Sequence, residues 1–177
     1  MLDTFASQLN DSWLGETIRS TGWMYPTFES IHVIAITIVV GMISIMDLRL
    51  LGLPSNGRPV SELARETLHW VWAAFVVAVI TGALMTVSQA QVFLSNPWYL
   101  LKMGLILLAG INMLYFELIT SRTMGQWNID VAPAPAARMA AAISLTLWVG
   151  VVVLGRVMGF TLNMLAGSDL TQYLSSM

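Results

Sequence analysis

The chain has 177 residues, 56% of them hydrophobic and only 10% charged, with a mean hydropathy of +0.73 and a formal net charge of −2. That balance belongs to an integral membrane protein and excludes a soluble domain. No basic run occurs, which sets aside nucleic acid as a partner. No cysteine occurs, which excludes disulfides, iron–sulfur clusters, thiolate zinc sites and covalent haem attachment.

Residues 1–22 begin MLDTFASQLNDSWLGETIRS, where Asp3, Asp11 and the lack of a continuous apolar run argue against a cleaved signal peptide. Leu2, Phe5, Leu9 and Trp13 fall on one side of a helix and Asp3, Ser7, Asn10 and Asp11 away from it, which predicts a short interfacial helix on the membrane surface. Four apolar stretches follow, over residues 27–52, 67–89, 98–120 and 139–165, each longer than the about 20 residues that cross a bilayer. Pro26 opens the first, Pro59 and Ser61 precede the second, and Asn96–Pro97 reads as an N-cap with proline at the first helical position of the third. The third connection, GQWNIDVAPAPAAR, ends in a Pro/Ala stretch expected to be irregular. Connections this short predict an all-α, antiparallel four-helix transmembrane bundle, one domain over residues 23–165 with a tail over 166–177.

Arg49, Arg58, Arg65, Arg122 and Arg138 lie on one side of these spans and Arg19 and Lys102 on the other, which predicts both termini outside. In a bacterium that is the periplasmic face of the inner membrane. Trp23, Tyr25, Trp98 and Tyr99 would mark the outer boundary, and Trp70 and Trp127 the inner one.

The two histidines, His32 and His69, both sit inside apolar spans and dominate the functional question. Antiparallel packing puts His32 near the outer boundary and His69 near the inner one, about 20–25 Å apart along the membrane normal. Two axial ligands of one iron need donor atoms only about 4 Å apart. One bis-histidine haem within a chain is therefore not expected, which leaves separate sites, one per leaflet, for one or two haems b. Second ligands at the outer depth would come from Met85, Met103 or Met158, and at the inner depth from Met46, Met139 or Glu117.

Arg156, in LGRVMGFTLNML, and Lys102 are cations within spans, and each calls for an anion. Haem propionates would serve, and Glu29, one turn before His32, is the competing protein partner. Asp47, Arg49, Glu117 and Arg122 are expected around His69, and Asn112, deeper still, needs a hydrogen-bond partner. Gly155 and Gly159, at GxxxG spacing, read as a packing surface or an oligomer interface. The plain alternatives are boundary histidines bonded to Glu29 or lipid headgroups, methionines as core filler, and Trp72 and Trp148 as structural residues.

The chain from Ile18 to Thr161 resembles a family of small bacterial four-span inner-membrane proteins of unknown function. The resemblance rests on SIHVIAITIVVG, MDLRLLGLP, LHWVWAAFVVAVITGALM, NMLYFE and SLTLWVGVVVLGR. It implies the four-span plan, and it implies a frequent histidine where this chain has Glu117. The general plan is also loosely similar to b-type membrane cytochromes and copper-resistance membrane domains.

No hydrolytic constellation is present, so an electron carrier is expected rather than an enzyme with a soluble substrate. The leading reading is a b-type cytochrome with one or two haems, in which His32 and His69 ligate iron and Arg156, Lys102 and Glu29 surround the outer haem. Its partners would be the bilayer, further copies of itself and a redox partner. Two other classes stand beside it. One is a cation or copper transporter with Asp47, Glu117, Asn112 and the histidines along its route; the other is a structural subunit of a membrane complex.

Overall fold

Ser12 breaks the N-terminal segment into two helices rather than one. Its side chain accepts a hydrogen bond from the Gly15 amide at 3.2 Å, ending α1 (Leu2–Asn10) and starting α2 (Trp13–Ser20). The computed structural model describes residues 2–53, 60–120 and 133–175. Arg58, Pro59, Arg122 and Trp127 lie outside them. Beyond α2 come α3 (Met24–Leu50), α4 (Val60–Ser88), the short α5 (Ala90–Ser95), α6 (Pro97–Tyr115) and α7 (Pro135–Ser175). A π-helical turn, Phe116–Thr120, continues α6, and no strand occurs among the described residues.

Four of these helices are long and apolar enough to cross a membrane: Met24–Leu50, Arg65–Ser88, Pro97–Leu118 and Pro135–Thr161, of 27, 24, 22 and 27 residues. Their large apolar side chains point outward, as with Ile34, Leu107 and Val153, which is tolerable only against lipid. The protein is thus a membrane protein of all-α architecture.

Local chemistry explains where the helices begin. Asn96 caps α6, accepting from the Trp98 amide at 2.9 Å, with Pro97 at the first position. The Pro/Ala stretch expected as loop is helical from Pro135, because proline fits a first turn and the alanines after it are strong helix formers. Pro26 lies inside the first turn of α3, where its missing N–H costs nothing.

Helix α3 packs along α4 and along α7, and α6 packs along α7. Small residues make these approaches possible, with Ala35, Ala74, Ala78, Ala109, Ala140 and Ala141 all buried. By contrast, α4 and α6 do not pack side by side. They are fastened at one end by α5 and by the 3.0 Å hydrogen bond between Thr86 Oγ1 and Tyr99 OH. That end also carries α1 and α2, which rest on α4 and α5 through Ala6, Gly15 and Ile18. Arg19 holds them there by donating to the Ser88 carbonyl at 2.7 Å, where α4 runs out of internal partners, and to Asn10 Oδ1 at 3.1 Å. Phe5 and Trp13, from the predicted apolar side, stay exposed.

Candidate functional site

The antiparallel pairing of α3 with α4 brings His32 against Thr81 and Gly82. His32 Nδ1 lies 3.0 Å from Thr81 Oγ1, and that hydroxyl also lies 2.7 Å from the Val77 carbonyl. A hydroxyl has one hydrogen, and a carbonyl can only accept it. Thr81 therefore donates to Val77 and accepts from His32 Nδ1–H, the ring also interacts with the Ala78 carbonyl, and with Nδ1 as the donor the neutral ring presents Nε2 as its acceptor. The ring lies on Gly82 so closely that a Cβ there would stand 2.9 Å from Cε1. Replacing Gly82 by alanine is expected to swing the imidazole off Thr81. Thr81→Val, which removes the acceptor without changing shape, is expected to weaken any ligand held by Nε2 by about 10–100-fold, the usual effect of losing a partner that orients a ligating imidazole. Titration of the ligand into both variants checks this.

Lys102 of α6 lies within electrostatic reach of His32, and its ammonium is 3.7 Å from where a Cβ on Gly155 of α7 would be. It is half-buried. Arg156, the next residue of α7, instead lies on an exposed surface with its guanidinium 5.3 Å from the centre of the Phe160 ring, a cation–π contact. Glu29 is exposed and, among the described residues, is hydrogen-bonded or ion-paired to neither cation. Of His32, Lys102, Arg156 and Glu29, the four residues predicted around an outer site, the structure thus puts only Lys102 within electrostatic reach of His32. Thr81 and Gly82, absent from that prediction, complete the surroundings.

His69 stands far from this group. It is 12 residues before Thr81 on α4, about 18 Å of helical rise. Its side chain is exposed beside Trp70, ring centres 5.3 Å apart, and Nδ1 lies 3.2 Å from the Arg65 carbonyl. A carbonyl only accepts, so here too Nδ1 carries a proton, and a neutral ring presents Nε2 as its acceptor.

The methionines are scattered. Met85 is half-buried one turn beyond Thr81 on the same face of α4, Met158 is half-buried, and Met103 and Met139 are exposed. Among the described residues no group of three or more His, Asp or Glu side chains could hold a metal ion.

Met46 and Glu117 line a cavity of about 510 Å³ that fills the half of the bundle away from the α4–α6 fastening. Asp47 lines it too and is only 5% exposed; the Ser144 hydroxyl hydrogen-bonds its carboxyl group, while Oδ2 has no partner among the described residues. Asn112 finds the partner its depth demanded, donating to the Ala140 carbonyl at 2.9 Å. His69 is not part of the cavity wall.

Neither the curated proteins nor the solved structures searched include a match to this chain. The sequence profile of DUF6644, a family of unknown function, matches residues 5–161, from the first helix to the end of the fourth apolar span. The chain belongs to that family.

Proposed function

We propose that this protein is a b-type cytochrome of the bacterial inner membrane, carrying electrons within or across the bilayer. The observation that supports the reading best is the state of the two imidazoles. Each spends Nδ1–H on a protein acceptor and keeps an Nε2 lone pair, which is the arrangement of a preoriented metal ligand. His32 is half-buried among apolar helices with a half-buried cation nearby, and those surroundings fit a macrocycle bearing carboxylates. Bound haem supplies a one-electron couple. His32 would hold the iron, Thr81 would fix the imidazole, and Lys102 would attract a propionate.

For His69 the reading takes a different form. Its ring is on the outside of the bundle, and rotation about the membrane normal preserves depth, so a parallel dimer can bring two copies of His69 together at one level. The excess of arginine on the side of Arg49 and Arg65 supports placing both termini in the periplasm.

The test is optical. Protein purified in neutral detergent is expected to show a Soret band that shifts on dithionite reduction, with pyridine haemochrome giving the haem count per chain. A colourless protein under haem-replete expression rules the reading out, and metal analysis of that same sample then tests copper.

A further inference from the structure

Arg156 is the cation of the predicted outer site that the cytochrome reading leaves without a task. Its guanidinium lies on the outside of α7, 5.3 Å from the centre of the Phe160 ring, and no carboxylate pairs with it among the described residues. A charge in that position calls for an anion.

The surroundings limit what that anion is. Val149, Val152 and Val153 before Arg156 and Phe160 after it follow at spacings of three and four residues, so they share one helix face with it, and all of them are exposed. Such a face belongs against lipid, and an anion that meets the guanidinium there must itself carry hydrocarbon. A Cβ on Gly159, beside Phe160, would meet nothing within 4 Å, so no described part of the chain covers that turn.

Lys102 supplies a second positive charge at the same level. It comes five residues after Pro97, about 7.5 Å of helical rise inside the end of α6, and its ammonium is 3.7 Å from where a Cβ on Gly155 would be, one residue before Arg156. That depth lies close enough to the boundary marked by the exposed Trp98 for a snorkelling arginine to reach the phosphate layer. Lys102 has no carboxylate partner among the described residues either. Two such cations favour a headgroup of net negative charge over a zwitterionic one.

We infer that Arg156 binds the phosphate of an anionic phospholipid in the leaflet beside α1 and α2, its guanidinium forking onto two phosphate oxygens, with Lys102 adding charge across Gly155 and an acyl chain running along Val153, Val152 and Val149 toward the bilayer centre. The site needs neither histidine, so a colourless protein that selects this lipid leaves it standing even though the cytochrome reading has failed.

The probe is dioleoyl phosphatidylglycerol, titrated into the delipidated full chain in neutral detergent and counted per chain by native mass spectrometry, with dioleoyl phosphatidylethanolamine as the zwitterionic comparison. About one phosphatidylglycerol per chain is expected to bind in preference to the zwitterionic lipid. Arg156→Gln and Lys102→Gln should each weaken it about 5-fold, the effect of one cation at a membrane surface, and Arg156→Lys, which keeps the charge but loses the fork, should fall between wild type and Arg156→Gln. Arg138→Gln removes the same charge from an exposed position at the opposite end of α7, and an equal loss there shows attraction to net charge alone and overturns the site. Equal affinity of wild-type protein for the two lipids overturns it without any variant having to fold. Displacement of the lipid by equimolar inorganic phosphate overturns the lipid as the source of the phosphate. An oligomer that Arg156→Gln dissociates while the lipid count stays unchanged overturns it in favour of a second copy of the chain on this face.

Discussion

Alanine at His32 is expected to remove one haem from each chain, and free imidazole in the buffer is expected to restore it. The expectation follows from how the ring is held. Thr81 fixes Nδ1, Gly82 leaves just enough room for the ring, and Nε2 is the only ring nitrogen still able to bind a metal. Deleting the ring leaves a hole of its own size between α3 and α4, which an exogenous imidazole can occupy. A variant that had merely misfolded would not recover in this way. His69→Ala should act independently, since its position lies about 18 Å of helical rise from Thr81 along α4 and shares no partner with His32. Pyridine haemochrome counts on both single variants and the double variant provide the check. An unchanged Soret band in folded His32→Ala protein would eliminate this residue as a ligand.

The largest effect on stability is expected from the smallest possible change, Gly15→Ala. A Cβ at position 15 would stand 2.9 Å from the Asn10 carbonyl oxygen, 3.0 Å from that of Leu9 and 3.0 Å from that of Val87. All three are backbone atoms, in two different parts of the chain, and none can rotate away. Overpacking of this kind costs about 1–3 kcal/mol, and the upper part of that range is expected here. The loss falls on the docking of α1 and α2, where Ile18 and Ala6 would be uncovered and the Arg19 bond to Ser88 would stretch. Faster proteolysis between residues 10 and 22 and a lower melting temperature in detergent are the readouts. Gly22→Ala is the matched control, because a Cβ there meets nothing within 4 Å. Equal behaviour of the two variants would show that the N-terminal helices are not held at Gly15.

What the sequence disclosed was decided by local chemistry. The start of α6 could be read from Asn96–Pro97 because a cap and a first-turn proline act within four residues. The depths of His32 and His69 could be read because antiparallel pairing and helical rise leave little freedom; the expected separation of about 20–25 Å compares with about 18 Å of helical rise from His69 to Thr81, the residue that His32 contacts.

Helix rotation was not legible in the same way. The spans are apolar all round, so no stripe tells which way a residue faces. Arg156 therefore read as buried and lies outside against Phe160, and Thr81, an ordinary threonine in sequence, turned out to hold His32. The cavity beside Asp47 was the least accessible of all, because it exists only through the failure of α4 and α6 to pack together.

That one-ended attachment makes the separation of two helices a matter of leverage. From Thr86, beside the clasp, to Thr67, in the cavity wall, is 19 residues of α4, an arm of about 28 Å. Over such an arm, a change of about 5° in the angle at which α4 leaves Tyr99 shifts Thr67 by about 2.4 Å, more than the radius of a methyl group. The width of the gap is governed by an angle set at the opposite face of the protein.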